Sequence, residues 1–166
     1  MGLGGDVLVV DDDEIIRGML VWLFEEAGYS VRQAADGSEA LTELGSRPPD
    51  CMILDLMMPG VDGQTVLLRR QESGVAPNTR IVVLTAKTDR NAEVWCWERG
   101  ADEYLIKPFD GDRLIRLVGD LMGLSSAQLR HRREVGLAEA RRLDAIEAAF
   151  DGGSGSRPRS GPRSRS

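Results

Sequence analysis

Three aspartates, Asp11-Asp12-Asp13, end one short apolar run of this 166-residue chain. Asp55 ends a second, Thr85 a third, and Lys107, followed by Pro108, a fourth. Lysine occurs only at 87 and 107 among 21 basic residues, so Lys107 is a choice of residue type and not background. Carboxylates crowded at one place repel, and some stay protonated unless a cation joins them. A hard divalent ion removes that conflict: magnesium takes one or two carboxylates plus waters and leaves positions for phosphate oxygens. Lys107 offers a point charge, and Thr85 a hydrogen bond, to a phosphoryl oxygen. Asp55 is the candidate nucleophile, because it leaves the central run and the Met57-Met58-Pro59-Gly60 loop follows it. The chemistry this set can do is Mg2+-dependent phosphoryl transfer to an aspartate, with positioning and charge neutralisation as the catalytic contributions.

Taken singly, these residues read as helix caps, turn residues or surface charges. They meet at one rim only if the runs before them are parallel strands of one sheet. The sequence supports that. Asp6–Val10, Tyr29–Ala34, Cys51–Asp55, Arg80–Thr85 and Tyr104–Ile106 are short, apolar and rich in β-branched residues. Between and after them lie helical segments at 13–27, 38–45, 64–72, 88–99 and 110–122. Asp13, Ser38, Thr88 or Asp89, and Asp110 are placed as N-caps, and Gly28 and Gly100 as stops. The expected fold is α/β, a flavodoxin-like doubly wound (βα)5 with a five-stranded parallel sheet, followed by a C-terminal helical extension.

Charge divides the chain at the same place as periodicity. Residues 1–124 carry net −10 and residues 125–166 net +4, giving −6 in all. The predicted organisation is a body over 1–123, one helix over 124–150 and a Gly/Ser/Arg/Pro tail over 151–166 that is expected to be disordered. Ser125 and Gln128 are placed as a capping box for that helix, and Gly136 as a weak interruption of it. No apolar run is long enough to span a membrane, and Cys51 and Cys96 have no metal or disulfide spacing. A cytoplasmic setting is expected.

Four segments carry a resemblance. Val7-Leu-Val-Val-Asp-Asp-Asp13, Met52-Ile-Leu-Asp-Leu-Met-Met-Pro-Gly-Val-Asp-Gly63, Ile81-Val-Val-Leu-Thr-Ala86 and Gly100-Ala-Asp-Glu-Tyr-Leu-Ile-Lys-Pro-Phe109 occur in order. Over about residues 5–123 the chain resembles the CheY-like receiver domain of two-component response regulators. The resemblance implies that Asp55 is phosphorylated by a sensor histidine kinase or phosphotransfer protein. It implies that Asp11, Asp12, Asp55 and the Met57 backbone carbonyl hold Mg2+, and that Thr85 and Lys107 contact the phosphoryl group. It further implies a cis Lys107–Pro108 bond, a switch made of Thr85 and Tyr104, and Met57 and Lys87 flanking the path of attacking water. Autocatalytic phosphotransfer and slow autodephosphorylation are implied, not turnover of an external metabolite.

The output is expected to be a protein contact through the face made by helix 88–99, strand 104–106 and helix 110–122. Trp95 is the expected outward aromatic there, read either as a partly covered surface aromatic or as a partner anchor. Trp95 and Trp97 point about 200° apart on a helix, and Cys96 and Trp97 suit inward positions. Residues 124–166 hold too little for a DNA-reading module or a catalytic domain, so direct DNA binding is not expected. The basic helix reads either as a solvated linker, the favoured reading, or as a contact for an acidic surface; a second copy of the chain is also weighed as a partner. Three rivals remain. A haloacid-dehalogenase-type phosphohydrolase wants a second aspartate where Met57 stands. A flavodoxin-like cofactor carrier wants a Ser/Thr/Gly loop where Asp11–Asp13 stand. A receiver-fold scaffold or adaptor would bind partners without using the phosphorylation site.

Overall fold

Residues 7–10 in the first strand and 51–54 in the third are buried without exception, because strands covered on both faces carry no polar alternation. The computed structural model describes residues 4–152. In chain order the elements are β1 (Asp6–Val10), α1 (Glu14–Glu26), β2 (Ser30–Ala34), α2 (Gly37–Ser46), β3 (Cys51–Leu54) and α3 (Gly63–Ser73). Then come β4 (Arg80–Thr85), α4 (Arg90–Glu98), β5 (Glu103–Ile106), α5 (Gly111–Gly123) and α6 (Ser126–Gly152). The sheet runs β2-β1-β3-β4-β5 with every pairing parallel. This is the flavodoxin-like, CheY-type α/β fold, with the C-terminal helix present.

Alternate strand residues serve opposite faces. Val7, Val9, Ile53, Val82 and Leu84 pack with α1 and α5 through Leu20, Phe24, Leu114 and Val118. Leu8, Val10, Met52, Leu54 and Val83 pack with α2, α3 and α4 through Leu44, Val66, Leu67 and Trp97. Five helices start on an aspartate whose side chain accepts from a first-turn N–H: Asp13, Asp36, Asp62, Asp89 and Asp110. The α2 cap is thus Asp36 and not Ser38. An Asp-Gly pair also suits a turn, but here Gly37 already belongs to the helix. Of the two candidates for α4, Asp89 is the cap.

The extension departs most from its sequence reading. Its capping box forms: Gln128 N–H donates to Ser125 Oγ and Ser125 N–H to Gln128 Oε1. The helix then runs unbroken through Gly136 to Gly152, two residues past the expected tail boundary. The rest of that tail, from residue 153, lies outside the described residues. The helix is not a solvated linker. It crosses the β5 edge of the sheet, adding Leu129 to one core and Ala140 to the other. The acidic surface it meets is that of its own chain. Arg133 donates to Asp102 from Nε (2.6 Å) and Nη2 (3.2 Å), and Asp102 also accepts the Ile81 N–H at 2.8 Å. Arg132 reaches Glu103 at 2.5 Å, Arg141 reaches Glu98 at 2.7 Å, and Glu147 accepts from Arg90 at 3.0 Å. At Gly136 a Cβ would stand 2.6 Å from the Trp97 ring, so only glycine lets α6 lie this close to α4.

Asp102 is fully buried, and a buried carboxylate without a cation is costly. Arg133→Ala should therefore lower stability by about 2 kcal/mol, read as the urea midpoint. Adding Asp102→Asn to that variant should restore part of the loss. An unchanged midpoint in Arg133→Ala would count against the pair as an anchor.

Candidate functional site

The parallel register brings the strand ends to one rim, and the acidic group assembles there. Asp11, Asp12 and Asp55 each place a carboxylate oxygen within 4.8 Å of the others. Asp11 and Asp55 are buried, while Asp12 is exposed. Asp11 is held from its own loop, where the Asp13 N–H donates to its Oδ1 at 2.9 Å and Arg17 donates to its backbone carbonyl at 2.8 Å. Asp55 Oδ1 accepts the Met57 N–H at 3.2 Å. Behind it, Gly63 opens α3 against the Asp55 backbone. A Cβ there would stand 2.2 Å from the Asp55 carbonyl oxygen, so glycine is required for the loop to close under the carboxylate.

Lys107 reaches in from β5. Its Nζ lies 2.6 Å from Asp11 Oδ2 and 3.5 Å from Asp55 Oδ2, and the Lys107–Pro108 peptide is cis. Thr85 is fully buried at the end of β4, and its Oγ1 accepts the Lys87 N–H at 3.2 Å. The Tyr104 ring is turned inward, with its hydroxyl donating to the Lys87 carbonyl at 2.7 Å. Thr85 and Tyr104 therefore grip the same β4–α4 loop residue from two sides.

Burial pushes the Asp55 carboxyl up from its ordinary pKa. The Met57 N–H and the Lys107 charge oppose that rise, and Asp11 adds to it. For Lys107, burial works against the charge, but the hydrogen bond to Asp11 and the charges of Asp55 and Asp11 outweigh it, and its pKa is raised. The rim is thus short of positive charge. Three oxygen donors with one ammonium among them fit a hard divalent cation and no softer one. The residues present suit Mg2+.

Two aromatic positions and one stripe complete the picture. Cys96 and Trp97 are buried, and Trp95 is the partly covered surface aromatic of its two readings. It is half-buried, with the Arg99 guanidinium stacked 3.8 Å from its ring centroid. The α4–β5 face expected to be free is partly covered by α6. An exposed apolar stripe lies elsewhere, on α1: Ile15 (84% exposed), Met19 and Trp22 (61%). Their i, i+4, i+7 spacing was a legible signal for one helix face, though not for which face lies outward. The supporting glycine, Gly63, carried no chemical signal of its own.

Comparison with known proteins agrees with this geometry. The family described as response regulator receiver domain matches residues 7–119. The DNA-binding response regulator MtrA of Mycolicibacterium smegmatis is 42% identical over 113 residues, covering 68% of this chain and 48% of MtrA. The DNA-binding transcriptional regulator NtrC of Salmonella typhimurium is 39% identical over 114 residues, covering 69% of this chain and 24% of NtrC. The chain thus spans about half the length of the MtrA relative, or less for NtrC. Among solved structures, the Francisella response regulator 1452 receiver domain matches with TM-score 0.66 and 35% identity, over 71% of this chain and 96% of that one. The BeF3-activated DrrB receiver domain matches with TM-score 0.65 and 26% identity, over 75% of this chain and all of that one.

A carboxyl whose folded pKa is raised destabilises the fold above that pKa and ceases to do so as pH falls through it. Without metal, Asp55→Asn should therefore raise the melting temperature at neutral pH, and the difference should shrink as pH falls through the raised Asp55 pKa. A cation held by the folded rim and not by the unfolded chain stabilises the fold, so Mg2+ at tenfold excess over its Kd should stabilise wild type by about 1.4 kcal/mol. Asp12→Asn should lose most of that gain. A melting temperature indifferent to Mg2+ in wild type would count against the cation site.

Proposed function

The chain belongs to the response regulator receiver domain family, and from that premise we propose that Asp55 accepts a phosphoryl group from a sensor histidine kinase or phosphotransfer protein in a Mg2+-dependent reaction. The observation that carries this reading is the buried Asp55 carboxylate set among Asp11, Asp12 and Lys107. In the step, an Asp55 oxygen attacks phosphorus, the P–N bond to the donor imidazole breaks, and the imidazole leaves with a proton. Asp11, Asp12, Asp55 and the Met57 backbone carbonyl would hold the Mg2+, which supplies neutralisation of the phosphoryl oxygens. Lys107 pairs with one of those oxygens and Thr85 donates to another. The donor must reach the rim. The Ile15–Met19–Trp22 stripe begins one turn from Asp11–Asp13, and it supplies an apolar landing surface beside the site.

Phosphorylation adds about two negative charges to the rim. Thr85 and Lys107 move toward them, and the β4–α4 loop follows. Because Tyr104 bonds Lys87 in that loop, α4 and β5 respond, and a partner that prefers one state reads the change. Signalling is by protein contact. The MtrA and NtrC relatives are named for DNA binding; the family match of this chain is to the receiver. The scaffold reading, in which the rim is never phosphorylated, has no observation in its favour.

Incubation with Mg2+ and acetyl phosphate should add one phosphoryl group to wild type, seen by intact mass, and none to Asp55→Asn. Labelling of both proteins, or of neither, would sink the assignment.

A further inference from the structure

The α6 helix holds the body by two kinds of contact of unequal strength. Its first turns are anchored at the sheet edge. Leu129 is buried, and Arg133 pairs in a two-pronged contact with the fully buried Asp102, with Arg132 on Glu103 beside it. From Gly136 onward its partner is α4. There the ion pairs, Arg141–Glu98 and Arg90–Glu147, are exposed, and such pairs contribute little. The apolar seam consists of Gly136 on Trp97, the small Ala140 and half-buried Leu137. The seam is also open. A cleft of about 410 Å³ runs along it past Trp97, Glu103, Arg132 and Gly136, and the buried Trp97 Nε1 has no hydrogen-bond partner.

This arrangement ties α4 to β5 by way of a third element. Any displacement of α4 relative to β5 must break the Trp97–Gly136 fit, because the Arg132–Arg133 end is fixed to β5. Arg90, the first residue of α4, lies three residues after Lys87, whose carbonyl holds Tyr104. A pull on the β4–α4 loop therefore reaches α4 at the end where Glu147 of α6 is attached.

We propose that the half of α6 after Gly136 is a phosphorylation-released cover on α4, which occupies an interaction surface and gives it up when Asp55 is phosphorylated. The inference rests on the phosphoacceptor reading of Asp55. Docking of α6 fixes α4 against β5, and phosphorylation would pull on the β4–α4 loop, so in this proposal the two oppose each other by the same factor. The surface uncovered has a defined chemistry. It carries the Trp97 indole and Glu98 at the end where α4 closes and Arg90 at the end where α4 begins. It accepts a helix with small residues facing Trp97 and an arginine reaching Glu98, which is what α6 presents.

The test is hydrogen exchange by mass spectrometry on the full chain, with and without Mg2+ and beryllofluoride, together with intact-mass labelling by acetyl phosphate. Beryllofluoride should speed exchange about fivefold over residues 137–150 and leave 129–134 protected. Gly136→Ala sets a methyl against the Trp97 ring, so it should show the faster exchange without any mimic. It should also label about fivefold faster than wild type. Unchanged exchange in β1 and β3 shows that the variant body is folded, and Arg141→Glu gives the same comparison without touching Trp97. Acetyl phosphate labelling with no change in 137–150 exchange overturns the release alone. Labelling of the two variants at the wild-type rate overturns it as well. No labelling of any protein removes the Asp55 reading, and the cover then has no trigger.

Discussion

Repulsion among three carboxylates is the constraint on which the rest of the body depends. Asp11, Asp12 and Asp55 are brought within 4.8 Å by strand pairing, and burial of two of them makes the crowding costly. Lys107 relieves part of it from across the rim. What remains is an acidic rim with one ammonium among three carboxylates; under the proposed reading a cation and then a phosphoryl group would each correct the charge left by the step before. The five-stranded sheet serves this by fixing the strand ends. The glycine at 63 serves it by letting α3 begin directly beneath Asp55. The aspartate caps hold the helix starts on the same side as the chemistry.

At the opposite end of the fold a second buried carboxylate poses a similar problem with a different solution. Asp102 sits at zero exposure where β5 begins, and it is neutralised by arginine from α6. The acidic body and the basic extension, which the sequence separates by sign, are thereby joined in space. The Gly136–Trp97 contact sets how closely α6 lies on α4. The helix passes the start of β5 at Asp102 and Glu103 and links that end of the strand to the helix that follows Thr85.

Much of this was legible in the sequence, and the reason is locality. Buried parallel strands announce themselves as apolar runs, and Asp13, Asp89 and Asp110 announce helix starts through contacts within three residues. The rim residues were legible because they recur at successive strand ends. Asp36 was misread because Asp-Gly before a Ser is as good a turn as it is a cap. The docking of α6 was not legible, for a different reason. Its seam against α4 is made largely by Gly136, Ala140 and arginines, and its large apolar residues are divided: Leu129 and Leu137 pack on the body, whereas Ile146 and Phe150 are exposed. Asp102 likewise looked like one acid among many, since burial at a sheet edge is decided by an element more than twenty residues away. Which of the two readings of Trp95 holds turns on the Arg99 guanidinium stacked on its ring, a contact that the residue types alone do not show.

The connector between α5 and α6 is two residues, Leu124 and Ser125. So short a tether holds α6 over α4 at a local concentration on the order of millimolar. A free protein at micromolar abundance that seeks the same face meets a rival roughly a thousandfold more concentrated, a handicap of about 4 kcal/mol. The connector length therefore sets a threshold. If that face is a partner surface, as proposed, a weak binder would stay excluded whatever its shape, and partners would be sorted by affinity before any feature of their surface is read.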